Sequence, residues 1–427
     1  MSGADQEKIG YPFWDRPDPG FFWRRLLAAP KHGGTAFRLW KFWIWWSRPR
    51  SLRERVGAFR ELVLSPFIAV LEAIRAARRY GPKVTTSHGI SGAEQLWQLF
   101  SLRIRTGLPP IAYYQYSLFK PERHPDDGQY LIETGKLLQV LNRRLSYAPD
   151  LDIFVNKARF EAWCCDHEFP TVRNFLEIQQ GSVVNRTVET LPPCDLFSKP
   201  SGAQAGEGVS RWTYSGGRGE LTWVSEVGKT YSADELEAHL CARSREEDRP
   251  FVLQPRLRNH ARIDRLANGS LSTIRLMTVR PQGGRAQPLL GALRLATGDS
   301  IADNFDLGGL GAPVDLVTGE LGPAAFKRGE YPLEEVERHP DTGVLLTGEV
   351  LPFWEDCVSM CVCAHDAVLA SIPVIGWDVA ILEVGPVLIE ANHMPGPQLA
   401  QMTTGIPLGA TPFAECVLAA MRQAFRL

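Results

Sequence analysis

The sequence lacks the features that direct a chain into or across a membrane. No window of about 18 uninterrupted apolar residues is present, so we find no obvious membrane span. Residues 1–10 are polar and do not follow the basic, apolar, small-residue order of a secretory signal. The eight cysteines are scattered along 427 residues, unlike the dense framework of a small secreted domain. We therefore expect a cytoplasmic protein with reduced thiols.

The sequence also lacks an excess of either charge. Its 47 basic and 48 acidic residues give a formal net charge of -1, so nucleic acid is not an expected partner. Positive charge is nevertheless concentrated locally, because eight basic residues and one acidic residue lie between Lys31 and Arg60. The sequence does not determine the oligomeric state, and a homodimer is compatible with it.

Half of the tryptophans fall in the first 50 residues, where six of twelve alternate with lysine and arginine. This composition is typical of a segment in weak contact with a membrane surface. The alternative is a Trp/Arg-rich arm, residues 1–50, that packs its aromatic side chains onto the body of the protein. We favour the packed arm.

One cluster of cysteines invites a zinc interpretation. It consists of Cys357, Cys361, Cys363 and His365. Its spacing matches no common zinc motif, and residues 354–369 have a helical pattern that places Cys357 and Cys361 one turn apart on a buried side. Cysteine acts there as a small apolar residue, so we predict core packing.

Residues 51–150 have the pattern of an α-helical domain. Ser51 and Ser91 are each followed by glutamate three positions later and then by an apolar run at helical spacing, which predicts two helix starts. Pro66 is expected to kink or divide the first helix, and Gly81-Pro82 to end it. A third helix is predicted over 130–145.

After residue 150 the pattern changes to short apolar runs separated by glycine, proline and asparagine turns. This predicts an α+β region dominated by antiparallel strands. The predicted strands are 171–175, 196–199, 221–224, 251–254, 273–279, 288–295, 379–383 and 387–391.

The last two predicted strands bring three oxygen-bearing side chains together. Folding the chain near Gly385 places Asp378 across from Glu390 and Asn392, which are two apart and so share one face of their strand. Two carboxylates and an amide oxygen suit Mg²⁺. The alternative is a hairpin with solvated polar ends.

A glycine-rich loop follows the lysine at the end of another predicted strand. Lys199 precedes Gly202, Gly206 and Gly208, and such a loop can direct backbone N–H groups at phosphates while the lysine adds a charge. Its spacing is not that of a Walker P-loop, in which the lysine follows the glycines. The alternative is a simple glycine-rich hairpin.

Two arginines interrupt apolar strands. Arg275 and Arg294 need partners, because an unpaired buried guanidinium is costly. The partner can be a structural aspartate, or a phosphate whose shape the guanidinium matches. A polar loop with Asp303 and Asn304 follows Arg294.

These elements, in this order, resemble the ATP-grasp superfamily over about residues 152–400. Lys157 lies where the family has its first phosphate-contacting lysine, and Lys199 with its loop resembles the second lysine and the flexible lid. Residues 251–255, with Gln254, resemble the hinge strand beside the adenine. Arg275 and Arg294 resemble the family's arginines on the phosphate side of the site. Asp378, Glu390 and Asn392 resemble its magnesium ligands.

The closest likeness is to the sugar-transfer-associated ATP-grasp group. It rests on four runs: Asp303-Asn304-Phe305 with Gly308-Gly309, His339-Pro340-Asp341-Thr342-Gly343, Gly376-Trp377-Asp378 and Leu388-Ile389-Glu390-Ala391-Asn392. The resemblance implies a helical N-terminal domain, then an ATP-grasp domain over 151–427 with a small nucleotide-clasping subdomain, 151–256, and a larger catalytic subdomain, 257–427.

What the resemblance implies chemically is a ligase that joins a small carboxylate to an amine. ATP would phosphorylate the carboxylate, with two Mg²⁺ ions on the polyphosphate, and Arg275 and Arg294 would steady the transferred group. Alternatives are a small-molecule kinase on the same fold and a non-catalytic ATP-binding partner of a glycosyltransferase system.

Two parts of the resemblance stay open. The family's ribose-binding acid follows the hinge, and the choices here, Asn259, His260 and Asp264, include no clear match. Residues 339–343 either bind substrate or form an Asp-Thr-Gly turn.

Overall fold

The computed structural model describes residues 38–39 and most of the chain from Ser51 to Phe425. The residues it leaves undescribed are 1–37, 40–50, 124–126, 133–137, 139–140, 142–148, 202–207, 218–220, 299, 301–302, 304, 306–307, 327–330, 332–333, 369–371 and 426–427. Almost all of the Trp/Arg-rich arm, and most of the helix predicted over 130–145, therefore lie outside the described residues.

The chain divides into two compact units. The first contains residues 1–144, 328–334 and 396–427, and the second contains residues 145–327 and 335–395. The C-terminal 32 residues thus group with the helical N-terminal region, whereas the sequence predicts one continuous domain over 151–427.

No helix within the described part of the chain has the length and apolar character needed to cross a membrane.

The first unit begins with a single long helix, α1 (Leu52–His88). Neither predicted interruption divides it, since Pro66 and Pro82 both lie inside the helix. Beside Pro82, the Gly81 carbonyl oxygen accepts hydrogen bonds from Gln95 Nε2 and Thr85 Oγ1, both at 3.1 Å. The Gln95 bond joins α1 to the next helix at this point.

The other helices of this unit are α2 (Gly92–Thr106), α3 (Pro110–Gln115), α8 (Pro397–Thr404) and α9 (Pro412–Phe425). As predicted, Ser91 caps α2 by accepting from the Glu94 backbone N–H. Gln401 of α8 bonds both backbone groups of Leu131, donating to its oxygen at 2.8 Å and accepting from its N–H at 3.0 Å. This buried amide pairing explains why residues from opposite ends of the chain share one unit.

The second unit contains four α-helices and one 3₁₀ helix (Pro149–Phe154) among its described residues. The α-helices are α4 (Lys157–Asp166), α5 (Ala233–Glu246), α6 (Ala261–Asp264) and α7 (Trp354–Ala367). Two antiparallel seven-stranded sheets complete the unit.

The first sheet has the order β2-β1-β7-β3-β4-β5-β6. Its strands are β1 (Leu176–Gln179), β2 (Ser182–Arg186), β3 (Leu196–Pro200), β4 (Ser210–Tyr214), β5 (Thr222–Ser225), β6 (Thr230–Ser232) and β7 (Phe251–Pro255). The strand predicted over 171–175 is wrong, because only Thr171 makes an isolated bridge, to Leu388, and β1 begins at Leu176.

The second sheet has the order β12-β11-β10-β9-β8-β13-β14. Its strands are β8 (Thr273–Val279), β9 (Gln287–Leu295), β10 (Leu310–Val314), β11 (Ala324–Phe326), β12 (Glu334–Val336), β13 (Val374–Leu382) and β14 (Gly385–Asn392). Strands β8, β9 and β13 are its buried centre, so a polar side chain on them needs a partner.

The packing interpretation of the cysteine cluster is confirmed for Cys357 and Cys361. Both are buried with Trp354 in the main core of this unit, on the side of α7 that faces the sheet. Burial raises the pKa of the Cys357 thiol to about 12. His365 is buried against Thr278, whose Oγ1 lies 2.7 Å from its Nδ1.

Gly319 gives a stability prediction for this core. Its φ is +74°, and an added Cβ would lie 2.6 Å from Trp354 Cγ. We expect Gly319→Ala to lower the free energy of unfolding by about 2–4 kcal/mol, from backbone strain plus overpacking. Gly343→Ala is the matched control, since its φ is +71° with no atom within 4 Å, and it should cost only about 1 kcal/mol. Equal losses in urea titrations would contradict the predicted clash.

Candidate functional site

The C-terminal hairpin of the second unit pairs the two predicted carboxylates. Asp378 on β13 lies opposite Glu390 on β14, and the register shifts between Asp378 and Val379. Strand β13 ends at Leu382 and β14 begins at Gly385, so the tight turn falls where the sequence predicts it. Asp378 is buried, whereas Glu390 is partly exposed.

Both predicted arginines converge on Asp378. Arg275 on the neighbouring strand β8 donates from Nε to Asp378 Oδ1 at 2.6 Å, and Arg294 on β9 donates from Nη2 to Oδ2 at 2.7 Å. Of the two kinds of partner left open by the sequence, the structure shows the carboxylate. Because β8 and β9 are successive strands of this sheet, the two guanidinium groups reach the same carboxylate from adjacent positions.

A second carboxylate, Asp303, completes the arginine network. Its Oδ2 accepts from the backbone N–H of Thr273 at 2.7 Å and from Thr273 Oγ1 at 2.5 Å, and it lies 3.6 Å from Arg294 Nε. Arg294 also donates to Thr273 Oγ1. Sequence reasoning placed Asp303 in a polar loop that carries part of the family resemblance but did not predict its pairing with Arg294, for which an acid soon after a strand arginine was the available signal.

The two predicted lysines approach from other elements. Lys157 starts α4, which Asn156 caps by accepting from the N–H groups of Ala158 and Arg159. Lys157 Nζ lies 4.0 Å from Glu390 Oε2. Lys199 lies on β3 of the other sheet, and burial together with the charge of Lys157 lowers its pKa to about 8, although Glu390 and Asp378 oppose this.

The two carboxylates have opposite electrostatic environments. Burial alone would raise the pKa of Asp378, but Arg275 and Arg294 outweigh it and hold that pKa below its usual range. Burial and the charge of Asp378 raise the pKa of Glu390, with Lys157 and Lys199 only partly compensating. A cation bound beside the two carboxylates would favour the ionised form of Glu390 and so offset the effect of Asp378.

The donor set fits Mg²⁺ chemically. The carboxylates of Asp378 and Glu390 lie side by side, and Asn392 follows on the same face of β14. Asn392 Oδ1 accepts from the Met394 backbone N–H at 2.8 Å, which fixes the amide and leaves its oxygen a second lone pair. Carboxylate and amide oxygens with room for phosphate and water are the ligands Mg²⁺ prefers.

Gly376 allows the close approach of Arg275 to this point. An added Cβ at Gly376 would lie 2.9 Å from Pro395 Cβ and 3.3 Å from Arg275 Nη1. The absence of a side chain two residues before Asp378 therefore leaves room for the Arg275 side chain beside β13.

The predicted hinge residue, Gln254, makes a buried pair. Its Nε2 donates to Asn174 Oδ1 at 2.7 Å, while Asn174 Nδ2 is buried and has no hydrogen-bond partner in the part of the chain that the structure describes. Sequence reasoning missed Asn174. The side-chain amide of Asn174 is fixed through its oxygen, so its N–H groups can donate hydrogen bonds to acceptor atoms on the edge of a polar ring.

The glycine-rich loop is described only at its ends. Gly202 and Gly206 lie outside the described residues, as does Asn304. Gly208 has a φ of +73°, and its carbonyl oxygen accepts from Arg243 Nη2 at 3.2 Å, so the loop returns to β4 through a position that favours glycine.

The residues left open as ribose ligands have structural contacts. Asn259 bonds the backbone of Ser270 and Ser272 at 2.8 and 2.9 Å, and His260 caps α6 through its Nδ1. Of the two interpretations of residues 339–343, the structure shows the turn, closed by a bond from the Gly343 N–H to the His339 oxygen at 2.8 Å.

Solved structures that match this chain at low identity include proteins whose titles name them ligases or synthetases. D-alanyl-alanine synthetase A from Vibrio cholerae is 9% identical with a TM-score of 0.36, over 64% of this chain and 66% of that one. The ATP complex of D-alanine–D-alanine ligase from Bacillus anthracis is 12% identical with a TM-score of 0.32, over 64% and 67%. L-amino acid ligase from Bacillus licheniformis is 12% identical with a TM-score of 0.32, over 63% and 48%.

The chain therefore spans about two thirds or less of the length of these proteins. No curated protein matches the sequence. The family model for sugar-transfer associated ATP-grasp proteins matches residues 137–411, well over half of the chain and all of the carboxylate, arginine and lysine cluster. Together with the two antiparallel sheets flanked by helices, this match shows that the chain belongs to the sugar-transfer associated ATP-grasp family and has the ATP-grasp fold.

Proposed function

We propose that this protein is an ATP-dependent ligase of the cytoplasm that joins a small-molecule carboxylate to an amine through an acyl phosphate, in the biosynthesis of a small molecule or a cell-surface saccharide. One observation carries the proposal. Two arginines and two lysines, from four different elements, surround the Asp378–Glu390 pair. Such a cluster can hold a polyphosphate and stabilise the charge of a phosphoryl group in transfer.

Each residue has a role that its position supports. Lys157 and Lys199 bind the polyphosphate. Asp378, Glu390 and Asn392 would hold Mg²⁺, which neutralises polyphosphate charge when bound. Gln254 and Asn174 orient the base of the nucleotide. The arginines keep N–H groups beyond those bonded to Asp378, and these are available to the transferred phosphoryl group.

The reaction has two balanced steps. A carboxylate oxygen of the substrate attacks the γ-phosphorus of ATP, and the bond to the bridging oxygen breaks to release ADP. The amine then attacks the acyl carbon, the C–O bond to phosphate breaks, and the amine loses a proton as the amide forms. Exclusion of water protects the acyl phosphate between the steps.

An enzyme-bound covalent intermediate is not part of the proposal. Cys357 and Cys361 are buried in the core, where burial raises the thiol pKa and suppresses the reactive thiolate. In the proposed reaction the activated group is the substrate's own carboxylate.

Product analysis tests the reaction type. Candidate acids are supplied with ATP, Mg²⁺ and hydroxylamine as a surrogate amine, and products are identified by mass spectrometry. ADP with a hydroxamate is the expected result. AMP and pyrophosphate would replace the proposal with adenylation, a phosphorylated alcohol would favour the kinase, and nucleotide binding without turnover for any acid would favour the non-catalytic partner.

Lys199 predicts how nucleotide binding depends on pH. Because its pKa in the free protein is lowered to about 8, Lys199 is charged below pH 8 and becomes neutral above it. A neutral amine attracts phosphate less, so we expect ATP affinity to be constant from about pH 6.5 to 7.5 and to fall up to about tenfold per pH unit above 8. Calorimetric titrations at each pH measure this fall.

The control for this prediction is Lys199→Arg, whose guanidinium stays charged throughout the range. The fall above pH 8 should be absent in that variant. The same fall in Lys199→Arg would assign the pH dependence to another group.

A further inference from the structure

The first half of α1 presents an apolar stripe that no described residue of the first unit covers. Six side chains at helical spacing are 41–78% exposed: Leu52, Val56, Phe59, Val63, Phe67 and Val70. At about 3.6 residues per turn they fall within a stripe roughly 80° wide and about 27 Å long.

The second half of the same helix is packed in the ordinary way. Ala69, Ala73, Ala76 and Val84 are buried at helical spacing. Of the described side chains from Ser51 to Ile68, by contrast, none is buried. An exposed stripe of this size, including two phenylalanines near 70% exposure, is far from the scattered apolar residues of an ordinary surface.

The charged side chains that the structure describes beside the stripe are positive. By helical spacing, Arg53 and Arg60 lie along one edge and Arg55 along the other, and all three are exposed. The sequence just before the helix adds Lys41, Arg48 and Arg50. Arginines beside an apolar stripe can place their stems on it while their charged ends reach anionic groups at the same level.

We propose that the Leu52–Val70 stripe of α1 docks on an anionic phospholipid surface, lying in its plane. The partner follows from charge and shape: an apolar stripe edged by arginines has the composition of an interfacial helix, and it complements acidic headgroups above acyl chains. A second copy of the chain is a poorer partner, because pairing two such stripes would bring arginines against arginines. The proposal does not depend on the ligase reaction.

Vesicle flotation of the full chain tests the docking. We expect the protein to float with vesicles of phosphatidylcholine and phosphatidylglycerol, to stay behind with phosphatidylcholine alone, and to lose binding as salt rises. The triple variant Arg53→Glu/Arg55→Glu/Arg60→Glu should bind at least about a hundredfold more weakly, since each lost arginine removes about a factor of five and each glutamate adds repulsion.

Three further variants separate charge, apolar contact and general damage. Arg53→Lys/Arg55→Lys/Arg60→Lys should bind as the original does. Phe59→Ser/Phe67→Ser should lose binding with an unchanged melting temperature. Val317→Ser/Val384→Ser, which alters side chains 90% exposed in the second unit, should bind normally.

Several results would overturn the proposal. Absence of flotation with anionic vesicles would do so. Flotation of Phe59→Ser/Phe67→Ser equal to that of the original protein would also do so, and it would assign binding to other residues such as 1–50. A dimer in light scattering that Phe59→Ser/Phe67→Ser dissociates, without vesicle binding, would assign the stripe to self-association. A lower melting temperature in that variant, without vesicle binding, would indicate that the chain covers its own stripe.

Discussion

Glu390→Gln is expected to reduce ligase turnover by a factor on the order of 10³, about 4 kcal/mol of transition-state stabilisation. The substitution keeps the shape of the side chain and removes the charge that faces Lys157 and a candidate cation. The fold should survive, because burial and Asp378 raise the pKa of Glu390 and the charged form is already disfavoured where it lies. ADP release at saturating substrates measures the loss.

Glu383→Gln is the matched control for this prediction. It changes the same residue type in the turn of the same hairpin, where the side chain is 64% exposed. Turnover within about twofold of the original is expected there, since surface substitutions are usually mild. An active Glu390→Gln variant would remove the metal assignment and with it the proposed site.

Arg294→Met should be the most destabilising change in the site. Arg294 is bonded to Asp378 and lies beside Asp303. Without these contacts, burial of each of the three charged side chains would destabilise the fold. Both carboxylates hold the pKa of Arg294 above its ordinary value despite that burial. Removing the guanidinium leaves two buried acids without their shared cation, so the free energy of unfolding should fall by about 3–5 kcal/mol.

Urea titrations of paired variants check this prediction. Arg275→Met should cost less, because Arg275 contacts Asp378 alone among the carboxylates of this cluster. Arg294→Met/Asp303→Asn should recover part of the loss, since the second change removes an unpaired buried charge. An Arg294→Met variant as stable as the original would show that the buried network does not stabilise the fold.

The helices and strands followed the sequence where local pattern dominates. The hairpin of β13 and β14, with its turn at residues 383–384, could be predicted because two apolar runs flank a Gly-Pro turn and side-chain alternation fixes which residues face each other. The predicted break at Gly81-Pro82 was wrong: the helix continues to His88, and Gln95, fourteen residues away, bonds it at that point. A local rule cannot include a partner that only packing supplies.

The candidate site divides in the same way. Six of its residues could be identified from residue type and spacing, because strand arginines and spaced carboxylates are unusual in an apolar context. These are Lys199, Arg275, Arg294, Asp378, Glu390 and Asn392, whereas Lys157 was identified only through the family resemblance. The contacts of Asp303 and Asn174 could not be predicted, because Asp303 bonds Thr273 and Asn174 bonds Gln254, both distant in sequence. Pairs separated by 30 and 80 residues are created by sheet order, which single-sequence periodicity does not encode.

The sequence by itself determined the change from helical to strand-rich chain near residue 150, the hairpin that pairs Asp378 with Glu390, and the family resemblance, because these depend on short-range alternation and residue chemistry. Only the tertiary structure decided that both arginines share Asp378, that residues 396–427 join the N-terminal unit, and that the first half of α1 is left exposed. The physical reason is that burial and ion pairing depend on which distant elements come into contact, and those contacts are properties of the folded chain as a whole.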